Sequence, residues 1–403
     1  MTIKKLTKDY KNDLQKYFKI FFNMPFENED DKDEEFFNND DLWNFVWGAF
    51  EKEKLVSTYI SFDVEIKIRQ KWFKGHYLDG LGTLPGYRNK GYIKKMTKKD
   101  FDFCYENDIP VILLDPFKHS YYEKFGFKTA FTNYQLELPF QLLNSNFVET
   151  GYHTEIDFIN ENENLKNAKI KLYEKIQDYS RYNEMKMASP YDKSVFLNKK
   201  QLLCVVYDGE EAKGYMICEK EKRKLNIYNF KYTDIKSLIE LRNLLISFKD
   251  QMKTFDFTKL PPDFPYEMFI ESYYGGGNYS VRKLFETRMM RIIKPQILLE
   301  NLAILPDNYS IKLKVNDDMI KQNNKIFLID KNGVQETKEK QDLTIDIRDL
   351  SQMITGYKPP KVLYREAKFE EYKNINLLES VPKIIENLEN IFPPEITFTG
   401  EEF

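Results

Sequence analysis

Asp79-Gly-Leu-Gly-Thr-Leu-Pro-Gly-Tyr-Arg88-Asn-Lys-Gly91-Tyr, then Val111-Ile-Leu-Leu-Asp115, then Tyr121-Tyr-Glu-Lys-Phe-Gly126-Phe: these pieces of residues 79–127 decide the fold. Their order predicts strand, tight loop, helix, strand, short helix, strand. Pro85-Gly86 ends the first strand, because proline lacks the ladder donor. A helix over about 92–107 follows Gly91, with Ile93, Met96, Phe103 and Cys104 on one face. Val111-Ile-Leu-Leu114 is a short continuous apolar run of the kind found in buried strands. The amides at the start of the helix lack intrahelical partners, and a pyrophosphate accepts several at once. Gly91 lets backbone approach a phosphate with no Cβ in the way, and Arg88 and Lys90 add charge. Lys94, Lys95, Lys98 and Lys99 crowd the first turns, where the macrodipole favours acids. They read either as a solvated face or as partners of an external anion. Leu81-Gly82-Thr83 ends its strand with a glycine, which predicts a kink or bulge exposing backbone groups to an amide-bearing ligand.

Working outward, residues 7–22 carry Tyr10, Leu14, Tyr17, Phe18, Phe21 and Phe22, an apolar stripe on an amphipathic helix. An acidic run from Glu27 to Glu35 precedes Phe36 and Phe37. It reads either as a solvated loop or as a lip whose field draws in a cationic substrate. Phe36, Phe37, Trp43 and Trp47 are candidates to wall that site, although the two tryptophans, four apart, also suit a core. Residues 55–64 and 72–84 form a hairpin turning near 67–70. Residues 134–138 form another strand, and Pro139 marks a boundary.

From about Gly151 the pattern restarts with a helix over 165–179 and strands at 201–207, 214–219 and 225–230. A helix at 235–248 and a strand at 254–257 follow. No Arg-x-x-Gly loop stands at the corresponding place. Gly275-Gly-Gly277 lacks a following Gly-Lys-Ser/Thr and reads as a flexible connection. The remaining residues alternate as strands at 309–315, 325–329 and 343–347, with helices over 348–355 and 381–388. They finish in Pro393-Pro-Glu-Ile-Thr-Phe-Thr-Gly-Glu-Glu-Phe403.

The whole composition narrows the function classes. At 403 residues the chain exceeds one ordinary core. A net charge of −3 argues against a nucleic-acid partner. Cys104, Cys204 and Cys218 make no disulfide framework. The three histidines are scattered, so no metal is expected. No apolar run approaches the ~20 residues of a membrane span, and the polar N-terminus lacks a signal-peptide core, so a cytoplasmic location is expected.

Pro85-x-x-Arg88-x-x-Gly91 with Tyr122-Glu-Lys-Phe-Gly-Phe127 resembles the GNAT acyltransferase superfamily, and within it the enhanced-intracellular-survival (Eis) branch. Generic members carry Gly or Ala two residues after the loop glycine, where this chain has Ile93. The resemblance implies an α+β (mixed α/β) chain of tandem GNAT-like domains plus a C-terminal sterol-carrier-like domain. The boundaries expected are 1–147 for the catalytic GNAT domain, 148–293 for a second without the cofactor loop, and 294–403 for the sterol-carrier-like domain. It implies acetyl-CoA as co-substrate, held by Leu81, Gly82, Thr83, Arg88, Asn89, Lys90, Gly91, Tyr92, Ile93, Lys94, Phe117 and Lys118. It makes Tyr122 the general acid and the C-terminal carboxylate of Phe403 the general base, with Glu401 and Glu402 suited to a cationic amine such as an aminoglycoside, a polyamine or a lysine side chain. It also suggests a homohexamer. The chemistry is coherent: attack requires a neutral amine, so a base must take its proton. An α-carboxylate, ordinarily near pKa ~3.5, is a useful base only if its surroundings raise it. The competing reading is a non-catalytic protein that binds an apolar ligand or a partner, with a vestigial acetyl-CoA site.

Overall fold

The computed structural model describes residues 1–22, 36–179, 182, 185–187, 200–270, 281–374 and 379–398. They divide into two compact units. One is built from Met1–Phe131 and Thr287–Thr397 with a short strand near 186; the other comes from the intervening residues from Thr132 on, with Phe398. The acidic run, the triple glycine and the last five residues lie outside the described residues.

The first unit opens with β1 (Thr2–Lys5) and α1 (Lys11–Phe22), which buries Leu14, Tyr17 and Phe18. Then come β2 (Val46–Glu51), β3 (Lys54–Ile68) and β4 (Lys71–Thr83). The β3–β4 turn places Arg69 and Gln70 at positive φ, 48° and 67°, as a tight two-residue hairpin requires. α2 (Tyr92–Glu106) crosses over to β5 (Val111–Leu114), which lies parallel to β4 in the register Gly75↔Val111 to Leu78↔Leu114. All four β5 residues are buried, as expected for an interior parallel strand. α3 (His119–Tyr122) follows.

β6 (Lys128–Pro139) leads into the second unit, with β7 (His153–Phe158) and α4 (Glu163–Tyr179). The short strand of the first unit, β8 (Met185–Met187), pairs with β3. β9 (Leu202–Asp208), β10 (Glu211–Glu221), β11 (Lys224–Tyr232), α5 (Ile235–Ser247) and β12 (Thr254–Leu260) complete the second unit. Its strands run in the order β6-β12-β11-β10-β9-β7. β11 and β12 are parallel across the α5 crossover, and β6 is antiparallel to β12. This repeats the first unit, where β4 and β5 are parallel across α2 and β13 (Val281–Ile292) is antiparallel to β5.

The rest of the first unit is α6 (Pro295–Leu302), β14 (Ile311–Asn316), β15 (Ile326–Asp330), β16 (Gly333–Thr337), β17 (Leu343–Asp346), α7 (Ile347–Thr355), α8 (Pro360–Arg365) and α9 (Lys383–Ile391). The four strands order as β16-β15-β14-β17. Polar contacts tie this region to the earlier part of the same unit, two of them at its buried joints. Arg291 and Asp317, 0% and 1% exposed, form a buried ion pair through Nη2 at 2.8 and 2.6 Å. Arg69 at the hairpin turn donates to Ile354 O and Pro393 O, both at 2.6 Å.

The sequence reading missed β1, β2, β7, β8, β16, α6 and α8. Trp43 and Trp47 share helical spacing, but the chain passes from a 3₁₀ turn at Asp40–Asn44 into β2 at Val46. Pro295 occupies the first turn of α6, where its missing N–H costs nothing.

Candidate active site

β4 outruns its parallel neighbour. Pairing with β5 stops at Leu78↔Leu114, whereas β4 continues to Thr83. Beyond that point it holds only β3, through Thr58↔Gly82 and Ser57↔Thr83. The register jumps between Ile60↔Asp79 and Thr58↔Gly82, so Gly80 and Leu81 together oppose Tyr59. This bulge has Gly80 at φ 59°, a conformation that suits glycine. Thr58 Oγ1 donates to Gly80 O at 2.9 Å and Ser57 Oγ to Gly82 O at 2.6 Å, which fixes the bulged backbone from the β3 side.

Opposite this strand end lies the start of α2. Its N-cap is Gly91 at φ 77° with no capping side chain. The first helical bond runs from Lys95 N to Gly91 O, so the amides from Gly91 to Lys94 have no intrahelical partner. A Cβ built on Gly91 meets nothing within 4 Å. The loop is braced by Glu51: Tyr92 Oη donates to its carboxylate, and Lys90 Nζ lies 3.2 Å from it. These donors hold the Glu51 carboxyl below the usual range. Arg88 Nε donates to Thr83 O at 3.2 Å, closing the loop onto β4.

Between strand end and loop lies a cavity of about 590 Å³. Leu81, Gly82, Thr83, Arg88, Asn89, Lys90, Gly91, Tyr92, Ile93, Lys94 and Phe117 all line it; Lys118, exposed at the N-cap of α3, does not. Sequence reasoning missed Phe21, Phe22, Tyr87, Tyr121 and Phe125, which also line it. The signal for Phe21 and Phe22 was present in the α1 stripe but was read only as core. A Cβ on Gly82 would fall 1.9 Å from the Phe21 ring, so this glycine admits α1 against the strand. Of the lysines on α2, Lys94 faces the cavity, Lys98 pairs with Asp102 at 2.9 Å, and Lys99 lies 4.7 Å over the Trp47 ring.

Tyr122 is 4% exposed and is not part of the cavity wall. Its ring packs against Phe117, Tyr121 and Phe127 with centroids 5.5, 5.1 and 6.2 Å away. Burial first, then Tyr121 and Asp79, push its phenol above the ordinary range. Its neighbour Tyr121 is on the wall, and burial raises its phenol too. Phe37 is 1% exposed, edge-on to Phe18 at 5.3 Å and to Phe36 at 4.9 Å, so it is core rather than the wall of an open site. Phe36 is partly buried against the same cluster. Glu401, Glu402 and Phe403 lie outside the described residues.

In the second unit the corresponding helix start is chemically closed. Asp234 caps α5 by accepting from Ser237 N at 2.8 Å, and Ser237 Oγ accepts from Asp234 N. This capping box satisfies donors that α2 leaves free.

A second polar cluster lies farther along α2. His76 on β4 is 4% exposed. Its Nδ1 lies 2.9 Å from Asp100 Oδ1, 2.8 Å from Ser61 Oγ and 3.3 Å from Cys104 Sγ. Its Nε2 lies 3.3 Å from Asp63. Burial opposes the imidazolium charge, but the hydrogen bonds to Asp100 and Asp63 outweigh it and push the pKa up to about 12.

Comparison with known proteins agrees with this geometry. Residues 2–130 match the acetyltransferase (GNAT) domain, and residues 296–399 match the sterol carrier protein domain. No curated protein matches the chain. Among solved structures, a GCN5-related N-acetyltransferase from Anabaena variabilis superposes with TM-score 0.82 at 15% identity, covering 100% of both chains. A conserved protein from Enterococcus faecalis, described as a probable N-acyltransferase, gives 0.83 at 16% identity, covering 100% of this chain and 99% of that one. Eis1 from Mycobacterium abscessus gives 0.74 at 14% identity over 100% of both. Identities this low speak for the fold. The chain thus carries an acetyltransferase (GNAT) domain at residues 2–130 and a sterol carrier protein domain at 296–399.

Proposed function

We propose that the protein transfers acetyl from acetyl-CoA to a primary amine of a small cationic substrate: an aminoglycoside, a polyamine or a lysine-like amine. The observation that carries this reading is the uncapped start of α2 facing the unpaired end of β4 across one cavity. Free amides from Gly91 to Lys94 suit a pyrophosphate, with Arg88, Lys90 and Lys94 supplying charge. The outer edge of Leu81–Thr83 suits the amides of a pantetheine arm, as an added strand would. The thioester then lies near the β4 bulge, within reach of the Phe117–Tyr121 wall.

In the proposed mechanism the neutral amine attacks the thioester carbonyl, and the tetrahedral adduct expels CoA thiolate. Tyr122 gives that sulfur a proton, and the carboxylate of Phe403 accepts the proton lost by the amine. The phenol holds its proton at neutral pH, as an ordinary tyrosine also does, and burial, by raising it, makes it the weaker acid toward the thiolate. The test is thiol release from acetyl-CoA by the full-length protein with a panel of multi-amine acceptors, together with the mass of each acceptor. A gain of one acetyl mass per thiol released is expected. Tight acetyl-CoA binding with no acetylated amine across the panel overturns the proposal.

A further inference from the structure

We propose that His76, Asp100 and Cys104 form a binding site for a zinc-class divalent transition metal, on the half of α2 away from the proposed acetyl-CoA cavity. Asp100 and Cys104 are four apart on α2 and therefore share a face. His76 meets that face from β4. One donor atom from each residue lies within 4.8 Å of the other two. The Nδ1–Oδ1 and Nδ1–Sγ separations are 2.9 and 3.3 Å. Around a tetrahedral zinc, with bonds of about 2.0–2.3 Å, such donors stand roughly 3.3–3.6 Å apart. The two separations from Nδ1 need to grow by only a few tenths of an ångström to admit the ion, and the Asp100–Cys104 separation, within 4.8 Å, settles to the same range. Imidazole, carboxylate and thiolate together suit zinc or cobalt and are a poor set for magnesium or calcium.

The surroundings are those of a ligand set with outer support. Metal-bound histidine usually gives its second nitrogen to a carboxylate; here His76 Nε2 has the Asp63 carboxylate 3.3 Å away, short of hydrogen-bond geometry and close enough to reach it by a small turn of the side chain. Asp100 is oriented by the Tyr59 hydroxyl at 3.0 Å and by Ser61 Oγ at 3.1 Å. His76 and Asp100 line a cavity of about 600 Å³ with Trp47, Phe103 and Glu106, on the side away from the buried Cys104, which leaves room for a water or ligand in the fourth position. His76 Nδ1 now lies between the Asp100 carboxylate and the Cys104 thiol. Metal entry releases its Nδ1 proton and the Cys104 thiol proton to solvent. One histidine suffices for such a set when a helix supplies Asp and Cys one turn apart, an arrangement that the scatter of the histidines does not reveal.

The proposal is independent of acetyl transfer. Chelator-treated full-length protein is titrated with Co²⁺ and then with Zn²⁺. The expected result is a near-ultraviolet thiolate-to-cobalt band that saturates at a single equivalent and is displaced by zinc. Cys104→Ser and His76→Gln abolish the band. Asp63→Asn weakens zinc binding roughly 10- to 100-fold, as for other outer partners. The double variant Cys204→Ala/Cys218→Ala, in which Cys104 is the remaining thiol, keeps the band. If Cys104→Ser does not fold, the wild type and this double variant still decide. No thiolate band in the wild type, a band that survives Cys104→Ser, or a band lost with Cys204 and Cys218 overturns the assignment.

Discussion

At the scale of single residues, the two adjacent tyrosines carry the sharpest question. Tyr121 lines the cavity and Tyr122 packs edge-on against it. If Tyr122 is the acid, Tyr122→Phe lowers kcat about 10²- to 10⁴-fold with little change in acetyl-CoA affinity, and Tyr121→Phe changes kcat far less. Stopped assays with a fixed amine distinguish them, and the reverse ranking moves the role to Tyr121. Because burial raises the Tyr122 phenol, it stays protonated up to the ordinary tyrosine value of about 10 and beyond. The ratio of wild-type to Tyr122→Phe kcat is therefore flat with pH below that value. Gly91 answers to backbone rather than bulk. Its Cβ direction is open, but its φ of 77° is foreign to a branched residue. Gly91→Val costs about 1–2 kcal/mol in the loop and raises the acetyl-CoA Kd about tenfold or more, measurable by calorimetry. Gly126 is different again: with φ at 83°, any Cβ meets the Arg291 guanidinium at 2.9 Å. The Phe-Gly-Phe signature was legible in the sequence. Its reason, an arginine 165 positions on in the numbering (291 minus 126), was not.

At the scale of elements, local chemistry was readable where period and punctuation agree. The β3–β4 hairpin, α2 and β5 emerged near their observed bounds because alternation, glycine and a short apolar run each pointed one way. β2 did not, since Val46-Trp-Gly-Ala-Phe-Glu51 is mostly buried on both faces and does not alternate. The end of β4 was legible as a glycine-bearing strand terminus. That β5 stops short of it is a property of pairing and cannot be read from either segment alone. The buried pair between Arg291 at the end of β13 and Asp317 after β14 is equally non-local. Asp317 also accepts from Met319 N, Ile320 N and Asn323 Nδ2 at 2.9, 3.1 and 2.8 Å. Asp317→Asn leaves a fully buried guanidinium without its countercharge, and removing one partner of such a pair costs about 3–5 kcal/mol. The urea midpoint of the full-length protein is expected to fall accordingly, and a shift under 1 kcal/mol, roughly the worth of an exposed pair, would falsify the structural weight given to it.

At the scale of the whole molecule, the sequence showed that the strand-helix-strand pattern restarts after about residue 151. The structure adds how each unit is completed: β13 supplies the strand beside β5, and β6 the strand beside β12. Strand exchange of this kind leaves no local mark, because each strand is an ordinary apolar run wherever it pairs. The chemical difference between the units was legible as a missing Arg-x-x-Gly loop and is explained by the capping box that closes α5. The proposed base belongs to this scale, far from Tyr122 in sequence. Residues appended after Phe403 are expected to abolish turnover while acetyl-CoA binding and the melting temperature stay unchanged; full activity in an extended protein removes the terminal carboxylate from the mechanism. The bare end of β4 has one more consequence. A strand margin that pairs with no further strand among the described residues, touched only by Arg88 Nε at Thr83 O, invites the same margin of another molecule. A cofactor laid along that margin, as proposed, also shields it from such pairing. The bulge at Gly80 and Leu81 and the Phe21 ring over Gly82 keep the bare margin irregular and partly covered while it waits.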